Sequence, residues 1–250
     1  MADQAHPPAI SIEGKADTLL LCDHASDRVP DGVDLGVPAE VLGMHVAVDI
    51  GAEPLTRALA ARLDAPAMLA TVSRLVIDLH REPDHPALVP VESDGIPVPG
   101  NERADRFERI TRFHAPYHAA VSRCVAELRP RLIVAIHSFT QQLQSGGQPP
   151  RTLEAGILYN RDDRAARVMI AELREQGIET GDNAPYSGRL LNATLNRHGE
   201  AQGIACVSIE VRNDLIADAA GVAHWCELLA PMIVKARDAV ERPPIAQGRP

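Results

Sequence analysis

Three apolar runs in this chain end in side chains that can bind a metal or move a proton. Residues 18–22 lead into Asp23, His24, Ser26 and Asp27; residues 132–136 lead into His137 and Ser138; and the run SIEVR places Glu210 between Ile209 and Val211. A catalytic zinc typically takes three protein ligands, often two histidines and a carboxylate, and keeps one position open. His24 and Asp27, three residues apart, could turn toward one ion, with His137 as the third ligand from a neighbouring strand. Glu210 would then stand near the metal as the group that takes a proton from water, while the ion polarises a carbonyl oxygen, as amide hydrolysis requires. By itself the spacing of His24 and Asp27 equally suits a polar turn capping the next element.

Other polar groups bear on the same chemistry. The run TVSRLVIDLHR carries Arg74, Asp78, His80 and Arg81; read as a strand, it puts Arg74, Asp78 and His80 in one alternation phase. Guanidinium groups grip carboxylates with a bidentate fork, so these arginines suggest an anionic substrate, although Asp78 could as well pair with one of them in a structural bridge. Glu210 and Arg212 also share a strand face. Residues 182–200 read as a loop whose Tyr186, Arg189, Asn196 and His198 could line a pocket or simply be solvated. His198, just before Gly199, is placed to meet a developing oxyanion. His114 and His118 have a helical ligand spacing but lack the intervening Glu of a zincin helix, and Pro116 between them predicts a capped helix start with partly exposed imidazoles. Asp49, an acid on an apolar face, could anchor the loop near His24 or satisfy backbone groups.

The elements that must position these residues follow from hydrophobic periodicity. Five β-branched, apolar runs, 18–22, 67–79, 132–136, 156–159 and 205–211, read as strands. Between them, segments 38–63, 102–128, 161–176 and 222–240 have helical spacing, and Gly177 stands where a helix-ending glycine belongs. Strands alternating with helices predict an α/β fold, a single-domain three-layer sandwich over 1–250 with helices on both faces of a mostly parallel or mixed sheet. In an open α/β sheet ligands sit at the carboxyl ends of the strands, which is where the polar residues fall. Residues 82–101 and 141–153, rich in Pro and Gly, read as long loops suited to covering a site. The tails, 1–14 and 242–250, are expected to be frayed.

Composition narrows the function. The chain has 250 residues and a formal net charge of −9, which argues against a nucleic-acid partner, whose footprint is basic. No stretch nears the roughly 20 apolar residues of a membrane span, and the N-terminus lacks a secretory pattern, so a cytoplasmic protein is expected. Cys22, Cys124, Cys206 and Cys226 show no C-x-x-C spacing and read as reduced, buried thiols. There is no G-x-S-x-G elbow, phosphate loop or dinucleotide fingerprint, so serine nucleophiles, kinases and dinucleotide enzymes are disfavoured.

Taken in order, HASD at His24, SRLVIDLHR ending at Arg81, AIHSF around His137, DNAPYSG from Asp182 and SIEVRNDL around Glu210 resemble the N-formylglutamate amidohydrolases over roughly residues 15–240. That resemblance implies a metal-dependent deformylase releasing formate and glutamate from N-formyl-L-glutamate, a fold similar to the zinc carboxypeptidases, and a place in histidine breakdown. It implies one divalent metal, zinc before iron, cobalt or manganese, held by His24, Asp27 and His137, with Glu210 as general base and His198 assisting. Arg81 would hold the substrate's carboxylate, with Arg74, Arg212, Tyr186 and Asn183 as further contacts. Two departures from the carboxypeptidase pattern stand out: Asp27 replaces a longer Glu, and His80 replaces Asn. The alternatives are an amidohydrolase or peptidase of this fold acting on another N-acyl amino acid, and a binding protein that has lost the metal.

Overall fold

The structure is a computed structural model that describes residues 7–147 and 149–240. Its strands are β1 (Ala9–Ile12), β2 (Thr18–Cys22), β3 (Ala67–Ala70), β4 (Glu92–Ser93), β5 (Ile96–Pro97), β6 (Leu132–Phe139), β7 (Ala155–Leu158), β8 (Thr180–Asp182) and β9 (Ala205–Arg212). The helices are α1 (Ala39–Leu42), α2 (Ala52–Leu63), α3 (Arg106–Arg109), α4 (Ala115–Leu128), α5 (Arg164–Glu175), α6 (Ala193–His198) and α7 (Ala219–Ala239). Seven strands form one mixed sheet in the order β1-β3-β2-β6-β9-β7-β8. Strands β3, β2, β6 and β9 run parallel, while β1 and β7 pair antiparallel with β3 and β9. Strands β4 and β5 make a separate hairpin inside the loop expected over 82–101.

Alternation along the central strands builds two cores. Leu132, Val134 and Ile136 of β6, with Val207, Ile209 and Val211 of β9, face α2, α5 and α7. Ile133 and Ala135 face the opposite layer, where Tyr117, Val121 and Val125 of α4 pack with Leu75, Val76, Ile77 and Leu79. The three-layer α/β arrangement is therefore present. Because side chains alternate with period two, His137 and Glu210 emerge on the α4 side, and β6 and β9 pair them directly in register.

Several boundaries differ from the sequence reading. Residues 67–79 are a strand only as far as Ala70; beyond it, Val76 N and Ile77 N both bond to Ser73 O, and Arg81 N bonds to Asp78 O, a succession of turns. The apolar residues of that stretch are buried without being extended, which hydrophobicity alone cannot distinguish from a strand. The helix expected over 38–63 is broken between α1 and α2, and the break carries Asp49. Gly51, just after it, has φ +80°, and a Cβ there would lie 2.2 Å from Ile216 O. Only glycine lets this turn press against the exit of β9. Residues 110–114 form a π-helical turn between α3 and α4, and Pro116, which has no N–H to donate, sits in the first turn of α4. Ala9–Ile12, expected within a frayed tail, is a paired strand, whereas 1–6 and 242–250 lie outside the described residues.

Candidate active site

The carboxyl ends of β2 and β6 and the α1–α2 break converge on one buried cluster. Asp49 Oδ2 lies 2.9 Å from His137 Nδ1 and 3.3 Å from His24 Nδ1. Ligands about 2.0–2.1 Å from a tetrahedral ion stand about 3.3 Å apart, close to the two separations from Asp49, and one donor atom from each of the three residues lies within 4.8 Å of the others. The outer nitrogen of His24, Nε2, is 2.8 Å from Asp78 Oδ1, the carboxylate support that metal-binding histidines usually have. All four side chains are buried, with residue exposures of 4% or less.

The electrostatics point the same way. Burial opposes ionisation of Asp49, but His24, His137 and Arg74 hold its carboxyl well below the usual range. Burial and Arg74 resist charge on His24, yet Asp78 and Asp49 lift its imidazole to about 9. The cluster thus draws positive charge to the space between the three donors, which is what a divalent ion supplies. His137 Nε2 and Glu210 Oε2 are buried with no hydrogen-bond partner, a cost that a nearby cation and substrate would offset. The donor set, its spacing and its orphaned atoms fit a metal.

Asp27 is not part of this arrangement. It is exposed and lies outside the groups able to hold an ion; its expected place is taken by Asp49, 25 residues beyond His24. The turn at residues 23–24 leaves His24 buried and Asp27 exposed, so the three-residue spacing does not bring both side chains to one point. A second group that could hold an ion shares His137 with Asp23 and His80. There Asp23 is already occupied, by the Tyr117 hydroxyl at 2.5 Å and His80 Nδ1 at 2.8 Å, while His137 Nε2 is 3.7 Å away.

Glu210 borders the same cavity of about 330 Å³, whose walls also include Arg74, Asp78, His80, Arg81, Ser138 and Tyr186. Burial pushes its carboxyl up to about 7, with Asp49 adding to the rise and His137 opposing it. A carboxylate poised near neutrality suits proton transfer. Arg74 bonds both Asp49 Oδ1 at 3.1 Å and Asp78 Oδ2 at 3.0 Å, so it is committed to the cluster. Arg81 meets Asp78 only through Nε at 3.5 Å and borders the cavity. Tyr186 also borders the cavity, with Arg151 Nη1 3.3 Å from its hydroxyl.

Three predicted residues are placed elsewhere. Arg212 binds Asp214 and the carbonyls of Thr152 and Leu153, away from the cavity. Asn183, at φ +52°, accepts from Tyr159 N and Gly188 N and shapes its own loop. His198 is buried behind the site, 2.8 Å from His118 Nδ1, and does not line the cavity. His114 and His118, expected to be partly exposed, are 1% and 5% exposed because the π-helical turn and α4 lay them against the turn that holds Arg81. At the cavity mouth, Asp94 accepts from Gln144 N, Ser145 N and Ser145 Oγ, and pairs with His45, tying the β4–β5 hairpin to the 141–153 loop. Neither His45 nor Asp94 carried a signal in the sequence, because their partners lie about 50 residues away along the chain.

The sequence model of the N-formylglutamate amidohydrolase family matches residues 16–217. A solved structure of a gene product from Agrobacterium tumefaciens is 34% identical, with 92% of this chain and 94% of that chain covered and a TM-score of 0.87. The structure of an N-formylglutamate amidohydrolase from Ralstonia eutropha is 21% identical over 94% of this chain and 98% of that one, with a TM-score of 0.68, a likeness of fold. No curated protein sequence matches the chain. No helix among the described residues is long and apolar enough to cross a membrane.

Proposed function

The chain belongs to the N-formylglutamate amidohydrolase family and is a hydrolytic enzyme acting on an amide, and from that premise we propose that it is a metal-dependent deformylase of N-formyl-L-glutamate. The observation that carries the reading is the joint placement of His24, Asp49 and His137 beside a buried Glu210 in one cavity. His24, Asp49 and His137 would hold one divalent ion, zinc first among those that suit two imidazoles and a carboxylate. When bound, such an ion polarises the formyl carbonyl and lowers the pKa of water.

The chain's own residues supply the rest. Asp78 holds His24 with Nε2 protonated, leaving Nδ1 free to ligate. Glu210, whose pKa burial raises toward neutrality, accepts a proton from the attacking water and delivers it to the leaving nitrogen. Arg81 receives a substrate carboxylate, and Tyr186 borders the space beside it. The formyl group is too small to be recognised by shape, so selectivity rests on the amino-acid end.

The deciding experiment is formate release from N-formyl-L-glutamate by the purified protein, before chelation, after it, and after zinc is restored. Activity that is lost and then recovered supports the reading. No formate under all three conditions, alongside turnover of a longer N-acyl amino acid, would assign the site to another member of the substrate class.

A further inference from the structure

Behind the cavity wall stand three buried histidines that the reaction above does not use. His114 Nε2 lies 3.0 Å from Arg81 O, and His118 Nε2 lies 3.0 Å from Leu79 O. These carbonyls flank His80, so the two imidazoles grip the backbone on both sides of the residue preceding Arg81. His118 Nδ1 is 2.8 Å from His198 Nε2, and His198 Nδ1 faces Ser122 Oγ at 3.4 Å. The rings of His118 and His198 are nearly parallel, with centroids 5.1 Å apart and planes at 16°, and His114 is centred 4.2 Å from His118.

For neutral rings, hydrogen-bond accounting places the protons of this histidine row. A carbonyl only accepts, so His114 and His118 each carry their proton on Nε2. His118 Nδ1 is therefore bare and must accept, which makes His198 Nε2 a donor and leaves its Nδ1 to accept from the Ser122 hydroxyl. The pattern needs His118 and His198 neutral, while His114 needs only its Nε2 proton. Burial keeps all three neutral, lowering His114, and bringing His118 to about 3 and His198 to about 4. Without these two donors Arg81 O would lose its imidazole partner and Leu79 O would keep only the longer contact with Thr194 Oγ1.

We propose that His114 and His118 are positioning residues that set the Leu79–Arg81 backbone so that the Arg81 guanidinium meets the substrate's carboxylate, with His198 fixing the tautomer of His118. This rests on the reading of Arg81 as the carboxylate contact. Thr194 Oγ1, 3.4 Å from Leu79 O, supplements the grip at one of the two carbonyls. Among the described residues the Arg81 guanidinium has only the 3.5 Å contact with Asp78 to orient it, so its aim depends on where its backbone is held.

The test compares N-formyl-L-glutamate with its two mono-amides, one lacking the α-carboxylate and the other the γ-carboxylate. His118→Leu is expected to raise KM for N-formyl-L-glutamate about tenfold while kcat and metal content stay within a few-fold of wild type. That penalty is expected to vanish on the mono-amide lacking the carboxylate that Arg81 grips, and His118→Gln, whose amide N–H can reach Leu79 O, is expected to recover much of the loss. Equal penalties on all three substrates, or a loss in kcat alone, overturn the positioning role. Arg81→Leu separates the two claims. If it shows the carboxylate-dependent rise and His118→Leu does not, the histidine role fails alone; if it shows none, the Arg81 reading fails and the proposal with it. Independently of turnover, imidazole 15N NMR is expected to find all three histidines as Nε2–H tautomers at pH 7, and a Nδ1–H form of His118 overturns the arrangement.

Discussion

Asp78 Oδ1 sits 2.8 Å from His24 Nε2, on the side of the ring away from Asp49, so one carboxylate decides which nitrogen of His24 is free. Asp78 is itself held by Arg74, by Arg81 and by the His80 backbone N–H, a buried carboxylate with every partner supplied. Replacing it with Asn keeps the shape and removes the charge that stabilises the Nε2–H form. Outer-shell partners of metal ligands typically contribute 10–100-fold to affinity. Asp78→Asn is therefore expected to weaken zinc binding by about 10–100-fold, measured by competition with a chromophoric chelator. Unchanged affinity would show that Asp78 serves only to pair the arginines.

Asp49 and Asp27 make opposite predictions. Asp49→Asn removes the carboxylate 2.9 Å from His137 Nδ1 and 3.3 Å from His24 Nδ1. The variant is expected to purify without stoichiometric metal and to lose formate release. Asp27→Asn changes an exposed side chain and is expected to keep both metal content and activity within about twofold, since surface substitutions away from such features usually act weakly. Metal analysis of both purified variants checks the pair, and metal loss in Asp27→Asn would return the ligand to the position suggested by spacing.

The contrast shows what the sequence could reveal of this site. His24, His137 and Glu210 were legible because each ends or interrupts a strand, and strand alternation alone puts His137 and Glu210 on one face. Asp49 was visible as an acid on an apolar face, but its role depends on a helix break closed by Gly51 against Ile216, a contact between segments far apart in the chain. The stretch 71–81 was misread as extended because Leu75, Val76, Ile77 and Leu79 are buried in turns. Its real geometry pairs Arg74 with Asp78 four residues apart, a relation that a strand would not produce. His114 and His118 lack the intervening Glu of a zincin helix, and Pro116 between them predicts a capped helix start with partly exposed imidazoles. The π-helical turn before α4 instead rotates both toward the Leu79–Arg81 backbone.

Glu210 tests the chemistry. Its carboxyl is raised to about 7 chiefly by burial, and Oε2 has no partner. Glu210→Gln preserves size and removes the ability to accept a proton. The expected outcome is full metal content with kcat reduced by about 10²-fold or more, as loss of a general base typically costs. Retained turnover in a metal-loaded variant would move the base elsewhere.

The buried histidine row also makes the fold sensitive to acid. An unfolded histidine has a pKa near 6.5, whereas burial lowers His118 to about 3 and His198 to about 4 in the folded chain. Asp23 works against that shift in both, and Arg197 reinforces it in both. Below pH 6.5 the unfolded chain binds protons that the folded chain excludes, so this contribution is fully present above pH 6.5 and is lost as pH falls toward 4 and then 3. The slope is at most about 1.4 kcal/mol per pH unit for each histidine. Urea unfolding of the chelated protein between pH 7.5 and 4.5 should show stability declining in that direction. In His118→Gln/His198→Gln the decline should be shallower, since two of the groups that take up protons on unfolding are gone. Identical slopes in the two proteins would mean that these imidazoles are already protonated in the folded state, and His118 Nδ1 could not then accept from His198 Nε2.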